Sequence, residues 1–477
     1  MNERSRRWAA LWVIALAQFM VIMDTSIIGV ALPQIRDDLG FSPGGLQWMF
    51  NAYVVAFGGL LLLGGRLSDL FGARRMFATG WTVLLVGSIT SALATSSSVE
   101  IVGRAIQGAG SALIAPAALT LLMTLFGGTP DLPKAIALYG AAAPAGGTAG
   151  VFLGGVITQW LSWPWIFWLY VPISLAALAA TALLMPKTAG RRGSIDLLGA
   201  VTVTGGLALA VFGVVRAPQV GWSSAATLFS LGGALLLIAA FLGAEATMRT
   251  PLVRLGIFRT PLLGPANLAQ LLLGASWVPM WYVLNLYLQQ VLGYGAFASG
   301  AALLPMTVLI MVLMIGVAPK LMSRFGPKPL IVGGLWALAA GLLWLSFARP
   351  TGSFVVDVLP ASLVAALGQA LAFIPSLGTA LSSARPEEGG LASGIVNTSY
   401  QVGSALGLAA MTAVAASHGA TAVADPTRLT NGFSAAFAGA AILATVGGLI
   451  ILTVFRSQRE AATRAAVPDE NTLHPTT

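Results

Sequence analysis

Gly64-Gly65-Arg66-Leu67-Ser68-Asp69-Leu70-Phe71-Gly72-Ala73-Arg74-Arg75 decides the fold, because this short polar island separates two long apolar runs at 46–65 and 76–94. Each run is long enough to cross about 30 Å of hydrocarbon as a helix. Glycines permit a tight reversal between them, and Arg66, Arg74 and Arg75 mark the turn as a cytoplasmic loop, where Lys and Arg accumulate in membrane proteins. Asp69 is suited to bond a helix N-terminus or a basic residue, so loss of its contacts would open an inner gate built from Gly65, Asp69, Gly72, Arg74 and Arg75. Topology anchoring is the plainer role of Arg74 and Arg75.

The same alternation of apolar run and short loop continues in both directions. Runs at 8–32, 46–65, 76–94, 99–126, 134–160, 163–184 and 196–215 are followed by seven more at 224–246, 262–292, 297–322, 329–347, 354–382, 390–416 and 433–455, which makes 14. All are expected to be helices, since lipid offers no partner to an unpaired backbone group and the short alternating segments of a barrel are absent. The first run follows Arg4, Arg6 and Arg7 like a signal peptide, but it is too long for one and reads as a retained helix.

Composition agrees. Of the 477 residues 57% are hydrophobic and only 9% charged, against roughly a quarter in soluble proteins, which excludes a water-soluble enzyme. The absence of cysteine removes disulfides, thiolate nucleophiles and cysteine metal sites, and two distant histidines, His418 and His474, make a metal centre improbable. No basic stripe or recognition module accompanies the +9 charge, so nucleic acid is not an expected partner.

Twenty of the 25 Lys and Arg residues fall on the face of the N-terminus, leaving Arg36, Arg104, Arg216, Arg349 and Arg428 elsewhere. That bias expects both termini in the cytoplasm. A repeat shows at an offset of about 253 residues: Leu67, Gly72 and Arg74 echo in Leu321, Gly326 and Lys328, and Gly150 and Gly154 in Gly403 and Gly407. The expected organisation is a six-helix bundle over 1–190, a two-helix insert over 191–260, a second six-helix bundle over 261–456 and a disordered cytoplasmic tail over 457–477. Two repeats around a central pathway are a transporter architecture.

Of the 16 acidic residues only Asp24 lies well inside a span; the others, Glu100 among them, fall in loops and at helix ends. An ionised Asp near the bilayer centre costs about 2.5–3.5 kcal/mol, so it needs a partner or a task. Removal from water favours the neutral acid, which would let Asp24 bind and release a proton; a structural bond to a neighbouring helix is the alternative. Arg104 is the matching cation at similar depth, and a changing distance between the two would change proton affinity. A local pair between Glu100 and Arg104 on one helix competes with that pairing. Gly146, Gly150, Gly154 and Gly155 give span five a smooth face for another helix, whether for function or for ordinary packing. Asn51, Tyr53, Gln107, Gln270, Trp277, Trp281, Asn285, Asn397, Tyr400 and Gln401 are polar or aromatic residues within spans, suited either to line a substrate cavity or to bond between helices.

These residues resemble the major facilitator superfamily, and within it the 14-span drug:proton antiporter group. The family's loop motif, G-x-L-a-D-r-x-G-r, fits Gly65, Leu67, Asp69, Gly72 and Arg74; its span-four motif, R-x-x-q-G-x-g, fits Arg104, Gln107, Gly108 and Gly110. Its span-five motif, g-x-x-x-G-P-x-l-G-G, fits Gly146, Gly150, Leu153, Gly154 and Gly155, with Val151 in place of the proline. Asp24 and Ile27, followed by Ala31-Leu32-Pro33, resemble the span-one motif. Leu70 and Ala73 depart from the basic residues usual in the loop, Ser323 occupies the position of Asp69 in the second half, and that half has no equivalent of Asp24 or Arg104.

The resemblance implies an all-α major facilitator fold of two six-helix bundles and two extra central helices. It also implies a bacterial cytoplasmic-membrane exporter of amphipathic small molecules, driven by protons without a cofactor, and working as a monomer. Export of a self-made antibiotic or metabolite is the second expectation, since Arg outnumbers Lys 21 to 4 as in GC-rich bacteria. A non-exporting energy-coupling subunit would need several buried Lys and Glu. If Asp24 is the one titrating site, exchange of one proton for a monovalent cation ignores voltage.

Overall fold

A computed structural model describes residues 2–41, 48–187, 190, 197–248, 260, 262–385, 389–420 and 425–455. Helices occupy all fourteen apolar segments: α1 Glu3–Leu39, α2 Trp48–Phe71, α3 Ala73–Ala92, α4 Ser97–Phe126, α5 Leu132–Trp160, α6 Pro164–Leu184 and α7 Leu197–Val220. They continue as α8 Ala225–Thr247, α9 Leu263–Val291, α10 Phe297–Phe325, α11 Pro327–Leu345, α12 Phe354–Ser383, α13 Gly389–Ser417 and α14 Pro426–Val454. Eleven of them are long and apolar enough to cross a membrane; α3, α13 and α7, whose apolar stretch is Val201–Val214, are the others. Parts of the expected insert, at 191–196 and 249–259, and the whole polar tail fall outside the described residues.

Side chains set the ends of these helices. Asn2, Ser96, Ser224 and Asp425 each accept a backbone N–H at a helix start, which supplies a partner to a group the helix itself leaves free. Gly72 and Gly326 turn the chain between α2 and α3 and between α10 and α11 at φ 89° and 79°, a region closed to most L-residues. The two matching hairpins thus share one backbone device.

Packing repeats as well. Within α1–α6 the pairs are α1 with α5, α4 and α6, α2 with α4, and α3 with α4 and α6. Within α9–α14 the same pairs recur, α9 with α13, α12 and α14, α10 with α12, and α11 with α12 and α14. Across the two sets α2 meets α13 and α5 meets α10, again a symmetric couple. The insert breaks the symmetry: α7 lies along α2 and α13, and the Cβ position of Gly59 on α2 is 3.0 Å from Ala208 on α7. Its partner α8 is peripheral, with 22% of its apolar window buried against 67% for α4. The apolar faces of α8 therefore meet lipid, whereas α4 is central.

Contacts between the sets of helices also correct the register of the repeat. A Cβ on Gly146 would collide with the carbonyl of Phe19, and one on Gly150 would stand 2.8 Å from that of Met23, so α5 lies backbone to backbone on α1. Gly403 and Gly407 make the corresponding approaches to Leu271 and Ala275, each 252 residues after its counterpart. Gly146 and Gly150, not Gly150 and Gly154, are therefore the equivalents of Gly403 and Gly407. A four-residue slip preserves both the helix face and the glycine pattern, which is why the sequence match was one turn out.

Candidate functional site

Glycines in the first half of α4 draw two helices close to it. Gly103 and Gly110 admit α3, and Gly108 admits the backbone of α2 at Tyr53, at distances where any side chain would collide. Arg104 is thereby enclosed and is 0% exposed, with Asp24 on α1 at 1%. The Arg104 Nη1 donates to Asp24 Oδ2 at 2.6 Å and to Gln107 Oε1 at 2.7 Å, and its Nε donates to the Met49 carbonyl at 3.0 Å. The Tyr53 ring lies under the guanidinium, 4.8 Å from Cζ, and its hydroxyl is 2.9 Å from Ser111 Oγ and 3.1 Å from the Val21 carbonyl. Gln107 Nε2 donates onward to Ser88 Oγ at 2.9 Å.

This is a buried ion pair between α1 and α4, enclosed by α2 and α3, and removing one partner of such a pair costs about 3–5 kcal/mol. Asp24 and Arg104 meet each other, so the competing local pair does not form: Glu100 makes no ion pair with Arg104. Glu100 is nonetheless 0% exposed, which sequence position at a helix end did not indicate. Tyr170 of α6 faces Asp24 from a further side. In the second half, the contact equivalences place Ser276 opposite Asp24. Gly368 packs on α11 as Gly110 packs on α3, which places Ser362 opposite Arg104. Both serines are buried and bond only their own helix backbones, so neither Asp24 nor Arg104 has a charged equivalent in the second half.

Asp69 does cap a helix, and that helix belongs to the other half. Its Oδ1 accepts from the Gly390 N–H at 2.8 Å and its Oδ2 from the Leu391 N–H at 3.0 Å, at the first turn of α13. Gly65 permits this approach, since a Cβ there would stand 2.6 Å from the Gly390 carbonyl oxygen. Arg74 donates to the Ala182 carbonyl at 2.6 Å, tying α3 to the end of α6, while Arg75 is exposed. The two carboxylate bonds together are worth about 1.5–3 kcal/mol. Asp69→Ala is therefore expected to loosen the junction of α2 and α13 about tenfold. The chain has no cysteine, so Ser393→Cys, buried at the start of α13, supplies a single thiol whose labelling rate reports the change. An unchanged rate would show that other contacts hold this junction.

Along α5, Gly146 and Gly150 sit against the turn of α1 that carries Asp24, Gly154 is buried, and Gly155 faces Phe297 of α10. The hydroxyls of Thr148 and Thr307 bond across the halves, and the rings of Phe152 and Phe297 lie 4.9 Å apart.

The residues considered as cavity lining divide into two groups. Tyr53 and Gln107 are fully enclosed in the Arg104 cluster, and Gln270 is buried, donating to Ser376 Oγ at 2.9 Å and to the Phe373 carbonyl at 3.2 Å. Trp277 is buried beside Trp281, whose ring lies 3.4 Å from the Cβ position of Gly147 on the other half. Asn285 accepts from Ser299 and Gln289, Asn397 donates to its own helix, and Asn285, Asn397, Tyr400 and Gln401 remain partly open. The side chain of Asn51 lies outside the described residues.

A model of the Major Facilitator Superfamily matches residues 14–408. The chain is 40% identical over 445 residues to the cephamycin export protein CmcT of Amycolatopsis lactamdurans, covering 92% of this chain and 91% of that one. It is 34% identical over 468 residues to the puromycin resistance protein pur8 of Streptomyces alboniger, covering 96% and 93%. Among solved structures, the human organic anion transporter MFSD10 superposes with a TM-score of 0.67 at 16% identity, covering 94% of this chain and 100% of that one, a likeness of fold. Paired six-helix packing, a loop motif that caps the opposite half and a family match across most of the length agree: the chain belongs to the major facilitator superfamily and is a multi-pass membrane transporter.

Proposed function

We propose that this protein exports amphipathic small molecules across a bacterial cytoplasmic membrane in exchange for protons, by alternating access, as a monomer with both termini inside. The observation that carries the coupling is the Asp24–Arg104 pair, which joins α1 to α4 with both members sealed from solvent. A carboxylate in that position binds a proton when its cation moves away and releases it when the cation returns. Substrate and proton therefore compete for one site. The proton gradient drives the cycle without a cofactor.

A dedicated exporter of a self-made antibiotic is a second reading, favoured by relatives named for cephamycin export and puromycin resistance. Both readings share the site and differ in breadth. Reconstitution in liposomes tests the shared part: substrate addition should drive proton flux in the native protein and none in Asp24→Asn. A panel of structurally unrelated amphipathic drugs then separates the readings, since a dedicated exporter responds to one chemical class.

A further inference from the structure

Glu100 is a fully buried acid that the coupling pair does not use. It sits in the first turn of α4, four residues before Arg104, at the end of the bundle that the proposed orientation places outside. Both of its carboxylate oxygens lack a hydrogen-bond partner, and so does Nη2 of Arg104. Side chains four apart share a helix face with Cβ atoms about 5–6 Å apart, so this spare donor and these spare acceptors stand on the same face of α4. The groups that face Glu100 are Arg104 on its own helix, Asp24 on α1 and the Ser91 hydroxyl on α3. The Ser91 hydroxyl, itself buried, is close enough to Glu100 to bond its carboxyl.

Charge balance assigns the protons. One guanidinium cannot offset two carboxylates away from water, and an uncompensated buried carboxylate takes up a proton instead. Arg104 is engaged with Asp24, so Glu100 carries the proton in this conformation. We infer that Glu100 is a second proton-bearing carboxylate of the transport cycle, and that Arg104 alternates between it and Asp24. When Arg104 turns to Glu100, the Glu100 O–H bond breaks as the new ion pair forms, and the proton released is taken up by the Asp24 carboxylate as the old pair parts. The three groups stay neutral together in both states. Glu100, on the outer side, is then the first acid reached by an entering proton. This inference rests on Asp24 as the coupling site.

Infrared spectroscopy of the purified protein at neutral pH tests it. The native protein should show a protonated carboxyl band that moves with isotope-labelled glutamate and not with labelled aspartate. The band should vanish in Glu100→Gln, where the group is gone, and also in Asp24→Asn, where Arg104 is free to ionise Glu100. A purely structural Glu100 would keep its band in Asp24→Asn, and that result, or a native band that follows aspartate, would overturn the inference. In liposomes, Glu100→Gln should shift the midpoint of external pH dependence about one unit toward acid, a tenfold higher proton concentration, because nothing draws Arg104 from Asp24. An unshifted profile counts against the exchange. Should Glu100→Gln not accumulate as folded protein, the loss or persistence of the glutamate band in Asp24→Asn decides. Coupling that survives in Asp24→Asn would instead refute the Asp24 reading, whatever the glutamate band shows.

Discussion

Asp24→Asn is expected to abolish concentrative export while leaving a folded protein. Asn matches Asp in size and keeps an oxygen for the Arg104 Nη1 donor, now 2.6 Å from Asp24 Oδ2, but it cannot gain or lose a proton. Each 100 mV of driving force is worth about 2.3 kcal per mole of charge, a gradient of roughly fifty-fold, and without coupling that gradient falls to equality. Substrate would still cross down its own gradient. The measurement is uptake into inverted vesicles or liposomes under an imposed pH gradient, with thermal melting as the folding control. The buried cation left behind is the main threat to stability, and Glu100, one turn away on the same helix, is the available counter-charge. Wild-type accumulation by the mutant would remove Asp24 from the mechanism.

Gly146→Val is expected to have the second largest effect, through packing. The new side chain meets the Phe19 carbonyl on α1, a backbone atom that cannot rotate away, so α5 must withdraw. Overpacking of this kind costs about 1–3 kcal/mol, and here it falls on the turn that presents Asp24 to Arg104. Transport and melting temperature should drop together. Gly155→Ala is the matched control, because its Cβ would stand 3.5 Å from the Phe297 nitrogen, an ordinary contact, and it should behave as wild type. Equal behaviour of the two variants would show that the close approach of α5 to α1 is not what holds the site.

Much of this protein was legible before its structure. Hydropathy located the fourteen helical segments of the described residues, because a lipid-embedded chain has one solution for its backbone groups. Scarcity of charge drew attention to Asp24 and Arg104, since a buried charge is costly enough to need a reason. Both judgements depend on local composition, which a sequence states directly. Depth along a span was legible too, and it paired those two residues across 80 positions.

What tertiary structure alone decided concerns faces and partners. Glu100 looked like a helix-end acid and is sealed inside, because burial at a helix end depends on which neighbours cover it. Asp69 was expected to meet a helix N-terminus, yet only the packing of α2 on α13 names Gly390 and Leu391 as its donors. Tyr53 and Gln107 belong to the Arg104 cluster and not to an open wall, a distinction of a fraction of a turn. The glycine repeat was one turn out of register for the same reason: helical periodicity repeats nearly every four residues, so a sequence determines which residues share a face but not what that face meets.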